Sequence, residues 1–403
     1  RDQPRSRGLG DVYKRQEGVR SKITVEGDSK RPSQLITDKS REKRQRKALR
    51  KQRHKMTKVA FFRYGYYEPA FRFFTERVLD AEFLPLPTAT RQTIELGERL
   101  STDYVCTPFK HILGDFIEAL DQGANVLVQF GGPCRLGYYG ELQESILRDA
   151  GYDFVMLNFS EHNDQGPLGW AKDCLKKVNP DINIPHAVMQ LAAVANMAKK
   201  LDDARDYYLA NAGFECERGS FKRVWDAYMD DLNAAACDDD INEAYKRCMD
   251  AMRRLPIDKP ANPIRIGIVG ELFTAFDERS NLGLDEKLLN MRTEIHRYLN
   301  LTHRFIHYNE PNLRVSAGEY LLYDMGPTST MTIVAARRYA ERGFDGIVHA
   351  KSAGCTPEID CEPVLQRISS DYRIPTLYLT YDAQTSDTGL DTRLEAFYDM
   401  LAM

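Results

Sequence analysis

Short apolar runs alternate with stretches of helical spacing from residue 56 to the end of the chain. The run within Gly123–Cys134 is the clearest: apolar residues lead into two glycines, a proline and Cys134. This pattern predicts a buried parallel strand whose carboxyl end opens into a tight loop. Because ligands bind at that edge of open α/β sheets, we expect the Cys134 thiol to face a ligand.

The same plan occurs a second time, in Gly343–Cys355, where another apolar run leads into a glycine and a cysteine. A further apolar run follows at matching distance in each copy, Phe154–Leu157 after Cys134 and Thr376–Leu379 after Cys355. The repetition predicts two related α/β halves that each carry a thiol to a strand end.

Strand and helix patterns alternate in both halves, which predicts doubly wound parallel sheets. From Ala187 to Leu255 the chain is rich in Ala, Met, Leu and charge and has no strand pattern. We therefore predict an α/β protein with two Rossmann/flavodoxin-like doubly wound parallel-sheet domains, at 56–185 and 261–403, and a helical insert between them at 186–260.

Three further elements are predicted near these motifs. A strand is expected at Asp103–Val105, directly before Cys106. In the second half, the pattern predicts a helix at Asp285–Leu299 and then a strand near His303–Tyr308.

Charge is distributed unevenly along the chain. Residues 1–55 contain 19 Lys and Arg against 7 Asp and Glu, which leaves 37 against 52 for residues 56–403. An acidic body argues against nucleic-acid binding. We predict that 1–55 is a disordered basic leader, that residues 1–16 are a sequencing artefact, and that Met56 is the true start.

The composition is ordinary for a globular protein, and no apolar run approaches the length of a membrane span. We therefore expect a cytoplasmic protein that binds no membrane. Because the cytoplasm keeps thiols reduced, the eight cysteines are expected to be free. Metal binding, redox chemistry and simple burial remain open for them.

Three cysteines, Cys106, Cys134 and Cys355, each follow a predicted strand. Cys106 and Cys355 both begin the tripeptide Cys-Thr-Pro, which predicts the same turn twice with a helix starting just beyond it. The partial positive charge of a helix N-terminus favours a thiolate or an anionic cluster. The alternative is that all three are small buried hydrophobic residues. Because the three cysteines follow their strands at equivalent positions, we favour one site that all three share.

Other candidate residues carry weaker patterns. Three interpretations are open for Cys361: a spare metal ligand, a resolving thiol near Cys355, or a cysteine without a functional role. His349 lies in a predicted strand and is expected to be a core residue. Glu271 follows another strand and suits acid–base work or helix capping. No Walker A or dinucleotide-binding motif is present. Structural roles are expected for the remaining cysteines, Cys174, Cys216, Cys237 and Cys248.

Residues 56–403 resemble the 2-hydroxyacyl-CoA dehydratase family, most closely its activase-related branch. The resemblance rests on the segments Val105–Lys110, Gly131–Tyr139, Gly270–Glu271 with Asn281, Gly354–Glu358, and Thr392–Phe397. The chain departs from the family at Tyr381–Thr385, where an acidic, histidine-bearing segment is expected.

The resemblance implies an iron–sulfur protein of low-potential electron transfer in an anaerobe. It implies that Cys106, Cys134 and Cys355 hold a [4Fe–4S] cluster or a double-cubane [8Fe–9S] cluster. The implied electron donor is a separate ATP-hydrolysing activase, with a homologous subunit or a second copy of the chain as a further partner. An acyl-CoA that the protein dehydrates or reduces is the implied substrate.

Two other hypotheses stay open from the residues themselves. One is a non-catalytic accessory or scaffold subunit whose thiols bind zinc or nothing. The other is a small-molecule binding protein that closes between its two halves.

Overall fold

Most of the apolar runs form β-strands in the computed structural model of the chain. The structure describes residues 56–130, 134, 138–159, 166–298, 300–302, 310–323, 325–382 and 385–403. The basic leader predicted at 1–55 lies outside the described residues.

The strands form two four-stranded sheets that are parallel throughout and have the same strand order. The first sheet has the order β2-β1-β3-β4 and contains β1 (Lys58–Phe61), β2 (Glu82–Phe83), β3 (Val126–Gln129) and β4 (Val155–Asn158). The second has the order β6-β5-β7-β8 and contains β5 (Arg265–Gly270), β6 (Glu294–Arg297), β7 (Gly346–Ser352) and β8 (Thr376–Tyr381).

Helices connect the strands and cover the sheets. Every residue of β3 and of β7 is buried, as expected for central strands of a covered parallel sheet. The helices are α1 (Glu68–Phe73, continued by a π-helical segment at Phe74–Leu79), α2 (Arg91–Leu100), α3 (Thr107–Asp121), α4 (Tyr139–Asp149), α5 (Gly166–Val178), α6 (Ile184–Asn211), α7 (Ser220–Ala234), α8 (Asp238–Arg254), α9 (Leu284–Asn290), α10 (Glu310–Ala317), α11 (Gly326–Glu341), α12 (Thr356–Tyr372) and α13 (Asp387–Ala402).

This architecture confirms the predicted fold class, two Rossmann/flavodoxin-like parallel-sheet domains with helices between them. The intervening segment contains the long helix α6 and the pair α7 and α8, and its large apolar side chains, such as Trp225, Tyr228 and Met249, are buried. Among the described residues, no helix has both the length and the apolar character needed to cross a membrane.

Asp202 of α6 joins the two halves. Its carboxylate accepts hydrogen bonds from the hydroxyls of Tyr66 at 2.9 Å and Tyr67 at 2.5 Å, which follow β1. It also accepts bonds from the backbone amide and hydroxyl of Thr302, at 2.9 Å and 2.5 Å, in the second half. Burial raises the pKa of Asp202 to about 6, although these hydrogen bonds favour the charged form.

The strand predicted at Asp103–Val105 is wrong. These residues form a turn before α3, closed by a bond from the Val105 amide to the Thr102 carbonyl. Tyr104 is 93% exposed, so the segment has no buried face with which to join the sheet. The first sheet passes instead from β1 directly to β3.

The helix predicted at Asp285–Leu299 is also wrong in its second part. Helix α9 ends at Asn290, and Arg292 then takes a left-handed backbone conformation with φ of 58°. The Thr293 hydroxyl donates to the Leu288 carbonyl at 2.8 Å, and the chain continues as β6 beside β5. Ile295 is buried in a sheet rather than on a helix face. The strand predicted near 303–308 lies outside the described residues.

The close packing of α2 on α3 generates a prediction about stability. A methyl group on Gly114 would lie 2.0 Å from the Thr93 carbonyl oxygen, so Gly114→Ala forces the two helix backbones apart. We expect a loss of about 2 kcal/mol or more in the free energy of unfolding, measured by urea denaturation.

The matched control is Gly389→Ala on α13. A methyl group there meets only the Ser386 hydroxyl, at an ordinary 3.5 Å, so we expect unchanged or slightly increased stability. Equal stability of the two variants would contradict the close approach of α2 and α3.

Candidate functional site

Cys106 is the N-cap residue of α3, with Thr107 and Pro108 in the first turn of the helix. Its backbone is extended, and its carbonyl accepts the Phe109 amide at 3.1 Å. The thiol is partly buried and lies 2.9 Å from the hydroxyl of Tyr139. The turn therefore presents the thiol to the start of α4.

Cys355 occupies the same place in the second half. It is the N-cap residue of α12, again followed by threonine and proline in the first turn, and its side chain is buried. The Ile359 amide donates to its carbonyl at 3.0 Å. The two Cys-Thr-Pro tripeptides therefore begin their helices in the same way.

The two turns meet at Gly354. A methyl group on Gly354 would lie 3.8 Å from the Cα atom of Cys106, so the backbones at Gly354 and Cys106 pack closely against each other. Gly354 has φ of 74°, a conformation that glycine adopts readily. The Thr107 hydroxyl also donates to the Tyr381 carbonyl, at 3.4 Å. The carboxyl ends of β7 and β8 therefore lie against the start of α3.

Cys134 completes the group. It is partly buried and follows β3, and its charge is among the causes that raise the pKa of Cys106. Burial raises the pKa of Tyr139 far above its usual value, and the charges of Cys106, Cys134 and Cys355 raise it further. All three thiols therefore lie close enough to the Tyr139 hydroxyl to act on it electrostatically.

The net pKa shifts of the two N-cap thiols run against the expected preference for thiolates at these helix N-termini. Burial raises the pKa of Cys106 to about 11; the Tyr139 hydroxyl lowers it, and Glu271 raises it. Burial, together with Glu271 and Glu358, raises the pKa of Cys355 far above its usual range. Loss of hydration is the largest cause of both shifts, so both thiols hold their protons at neutral pH.

Glu271 belongs to the same site, since its charge acts on both Cys106 and Cys355. It follows β5 and accepts the backbone amides of Phe273 at 2.6 Å and Thr274 at 2.7 Å. It therefore caps a turn, where the sequence suggested a helix. Burial raises its pKa to about 7, although these bonds favour the charged form.

Sequence reasoning missed Tyr139 as a member of the site. Its hydroxyl faces Cys106, and its ring packs edge-on against Phe109 with centroids 4.8 Å apart. The available signal was its position in the segment Gly131–Tyr139, at the start of a predicted helix. Tyrosine is common at helix starts for packing alone, so that signal did not separate it from its neighbour Tyr138.

A second group was also missed. His349, Glu358 and Cys361 are completely buried, and their potential ligand atoms lie within 4.8 Å of one another, so the group could hold a metal ion. His349 is a core residue, as predicted, but its Nε2 atom lies 2.9 Å from the Glu358 carboxylate. The spacing Glu-x-x-Cys on α12 was the available signal.

The remaining cysteines lie elsewhere in the sequence and differ in environment. Cys174 and Cys248 are buried, while Cys216 and Cys237 are exposed, and none of the eight cysteines, all of them among the described residues, forms a disulfide. Cys237 is the N-cap residue of α8, a structural role as predicted. Cys216 is exposed, and nothing in the structure assigns it a role.

Comparison with protein-family models and with curated proteins found no match to this chain.

The raised pKa of Glu271 predicts a pH dependence of stability in the metal-free chain. Because its folded pKa is about 7 and its unfolded value 4.5, the folded state keeps a proton that the unfolded state has released. The free energy of unfolding should therefore fall as pH rises through this window, with a contribution of about 3 kcal/mol from Glu271.

Glu271→Gln should remove this contribution, so the free energy of unfolding should fall less steeply between pH 4.5 and pH 7. Urea denaturation at several pH values measures the slope. Glu286→Gln, which alters an exposed carboxyl group on α9, is the control and should keep the wild-type slope. A wild-type slope in Glu271→Gln would show that its carboxyl group is not the one that titrates.

Proposed function

We propose that the chain is a cytoplasmic iron–sulfur protein of the 2-hydroxyacyl-CoA dehydratase and activase-related family, and that it transfers electrons at low potential. One observation carries the proposal: Gly354, next to Cys355, packs against Cys106, whose thiol lies 2.9 Å from the Tyr139 hydroxyl, and the charges of Cys134 and Cys355 also act on that hydroxyl. Two segments with the same tripeptide bring their cysteines to one place, which simple burial does not require.

The donor set fits a cluster. Cysteine thiolates are the usual ligands of [4Fe–4S] clusters, and Cys106, Cys134 and Cys355 would hold such a cluster or a double-cubane [8Fe–9S] cluster. Burial raises the pKa of the Cys106 and Cys355 thiols, so binding of iron must release the protons that these two thiols hold. When bound, the cluster would supply a one-electron carrier, and three thiolates on a four-iron cubane would leave one iron without a cysteine ligand.

Three residues of the chain would affect the chemistry of a group bound at this site: Tyr139, Glu271 and Cys355. The Tyr139 hydroxyl can donate a hydrogen bond to the Cys106 sulfur and so stabilise its negative charge. Glu271 holds a proton below about pH 7 beside the thiols, where it can supply that proton to a bound group. Burial of the Cys355 side chain keeps water from this side of the site.

The partners in the proposal follow from the resemblance to the family. Electrons come from a separate ATP-hydrolysing activase, since the sequence has no Walker A motif of its own. A homologous subunit or a second copy of the chain is the further partner. An acyl-CoA, dehydrated or reduced, is the proposed substrate class.

Single replacement of each cysteine tests the cluster. Cys106→Ala, Cys134→Ala and Cys355→Ala should each lose most of the bound iron, because a cluster with two ligands is open to solvent and oxidants. The measurement is iron and sulfide per chain after anaerobic purification, with electron paramagnetic resonance, and with circular dichroism to confirm folding.

Cys248→Ala is the control, since Cys248 is a buried cysteine of the helical insert. It should keep full iron and lose at most modest stability. Equal iron in all four variants would exclude the cluster and favour the scaffold hypothesis. Loss of iron in the Cys106 and Cys134 variants alone would confine the site to the first half.

Tyr139→Phe tests the role of the hydroxyl. The ring should keep its packing on Phe109, so we expect full iron but a more negative reduction potential, because a hydrogen bond to a cluster sulfur raises the potential. A redox titration followed by electron paramagnetic resonance measures the shift. Tyr152→Phe, whose hydroxyl donates to Asp121, is the control and should leave the potential unchanged. An unchanged potential in Tyr139→Phe would contradict the assigned contact.

A further inference from the structure

The carboxylate of Glu358 is buried, and its one potentially cationic neighbour among the described residues is His349, whose Nε2 atom lies 2.9 Å away. Its exposure is 0%, and among the described residues no lysine or arginine forms an ion pair with it. The nearby Lys351 pairs with Glu362 instead, at 3.2 Å. A buried charge is costly unless it is paired or binds a metal. A positive charge beside Glu358 must therefore come from a protonated His349 or from a bound metal ion.

The side chains that face Glu358 are of the types that bind metal ions in proteins. His349 Nε2 on β7 lies 2.9 Å from Glu358 Oε2, and Cys361 Sγ, one turn along α12, lies 3.6 Å from the same oxygen. Imidazole nitrogen, carboxylate oxygen and thiolate sulfur are the three ligand types of protein zinc sites. A glutamate and a cysteine three residues apart on a helix point to the same side.

Two of the three distances in the group are close to those around a small tetrahedral ion, and the third, between His349 and Cys361, is at most 4.8 Å. Zinc bonds of about 2.0 to 2.3 Å place ligand atoms about 3.3 Å apart for nitrogen and oxygen and about 3.5 Å apart for sulfur and oxygen. The sulfur–oxygen distance of 3.6 Å already matches. The nitrogen–oxygen distance of 2.9 Å would have to lengthen by about 0.4 Å, within the movement of two side chains.

Several buried polar atoms around His349, Glu358 and Cys361 have no hydrogen-bond partner among the described residues. His349 Nδ1 and the hydroxyls of Ser352 and Tyr378 are buried and have no hydrogen-bond partner among the described residues. The Tyr378 ring lies edge-on to the His349 ring, with centroids 5.6 Å apart. Unpaired buried polar groups are rare and are often explained by a bound water or ion. The Glu358 carboxylate, in contrast, is supported by the Thr332 hydroxyl at 3.1 Å, as ligating carboxylates usually are.

We propose that His349, Glu358 and Cys361 bind one divalent ion of the zinc class, separate from the site of Cys106, Cys134 and Cys355. Binding exchanges the sulfur–hydrogen bond of Cys361 for a sulfur–metal bond and releases the proton to solvent. One carboxylate and one thiolate then balance the two positive charges, so the buried complex is neutral. The ion would join β7 to the first two turns of α12 and fix Cys355, which lies between them.

The test uses the full chain with Cys106, Cys134 and Cys355 all replaced by alanine, so that no cluster contributes metal. After exposure to Zn²⁺ and removal of excess, elemental analysis should find about one zinc per chain. Cys361→Ser and His349→Gln, each added to this background, should reduce bound zinc at least tenfold. Cys248→Ser is the matched buried-cysteine control and should keep it.

Cobalt gives an independent measurement. Co²⁺ in place of Zn²⁺ should give a thiolate-to-metal charge-transfer band in the parent chain that is missing in Cys361→Ser. A parent chain that is folded by circular dichroism but binds no metal would overturn the proposal. Equal metal in the parent and Cys361→Ser chains would do the same. If the triple variant does not fold, zinc in the otherwise wild-type chain with and without Cys361→Ser gives the same decision.

This proposal does not depend on the cluster. Iron in the single cysteine variants tests the cluster, whereas zinc in the triple variant tests His349, Glu358 and Cys361. Either proposal can therefore fail while the other stands.

Discussion

The contact between Gly354 and Cys106 is the constraint on which the thiol site depends. Each half supplies a Cys-Thr-Pro turn at the start of a helix, and neither turn alone gathers three cysteines. Only when the Gly354 backbone lies against Cys106 do the thiols of both halves share the surroundings of Tyr139. The Asp202 carboxylate supports this arrangement at a distance, because its hydrogen bonds extend from Tyr67 of the first half to Thr302 of the second.

Burial at this junction has a chemical effect as well as a structural one. Burial raises the pKa of Cys106 and Cys355 well above neutral pH and that of Glu271 to about 7, so the two thiols keep their protons while Glu271 titrates near neutral pH. Such thiols are poor nucleophiles. A metal that supplies positive charge is therefore better suited to this environment than covalent catalysis by a free thiolate.

The fold could be predicted from the sequence because central strands such as β3 and β7 contain short apolar runs with glycines nearby on either side. The strand at 103–105 failed because a short apolar pattern does not reveal that Tyr104 faces solvent. Helix 285–299 failed because the left-handed turn at Arg292 has no glycine to mark it. Cys106 and Cys355 were marked by their repeated tripeptide, and Cys134 by its place after the apolar run of β3. The group around Glu358 was not, because its histidine and helix residues become neighbours only when β7 packs against α12.

The separation of Cys106 from Cys355 in the sequence has a consequence for biosynthesis. During translation the first half leaves the ribosome with Cys106 and Cys134 well before Cys355 has been made, and domains generally fold in that order. Until the second half folds, these two thiols lie at the edge of the first sheet, where they are exposed to oxidants and to other metal ions. Closure of so long a loop comes late in folding. The site of three cysteines therefore forms only after both halves have been synthesised and folded.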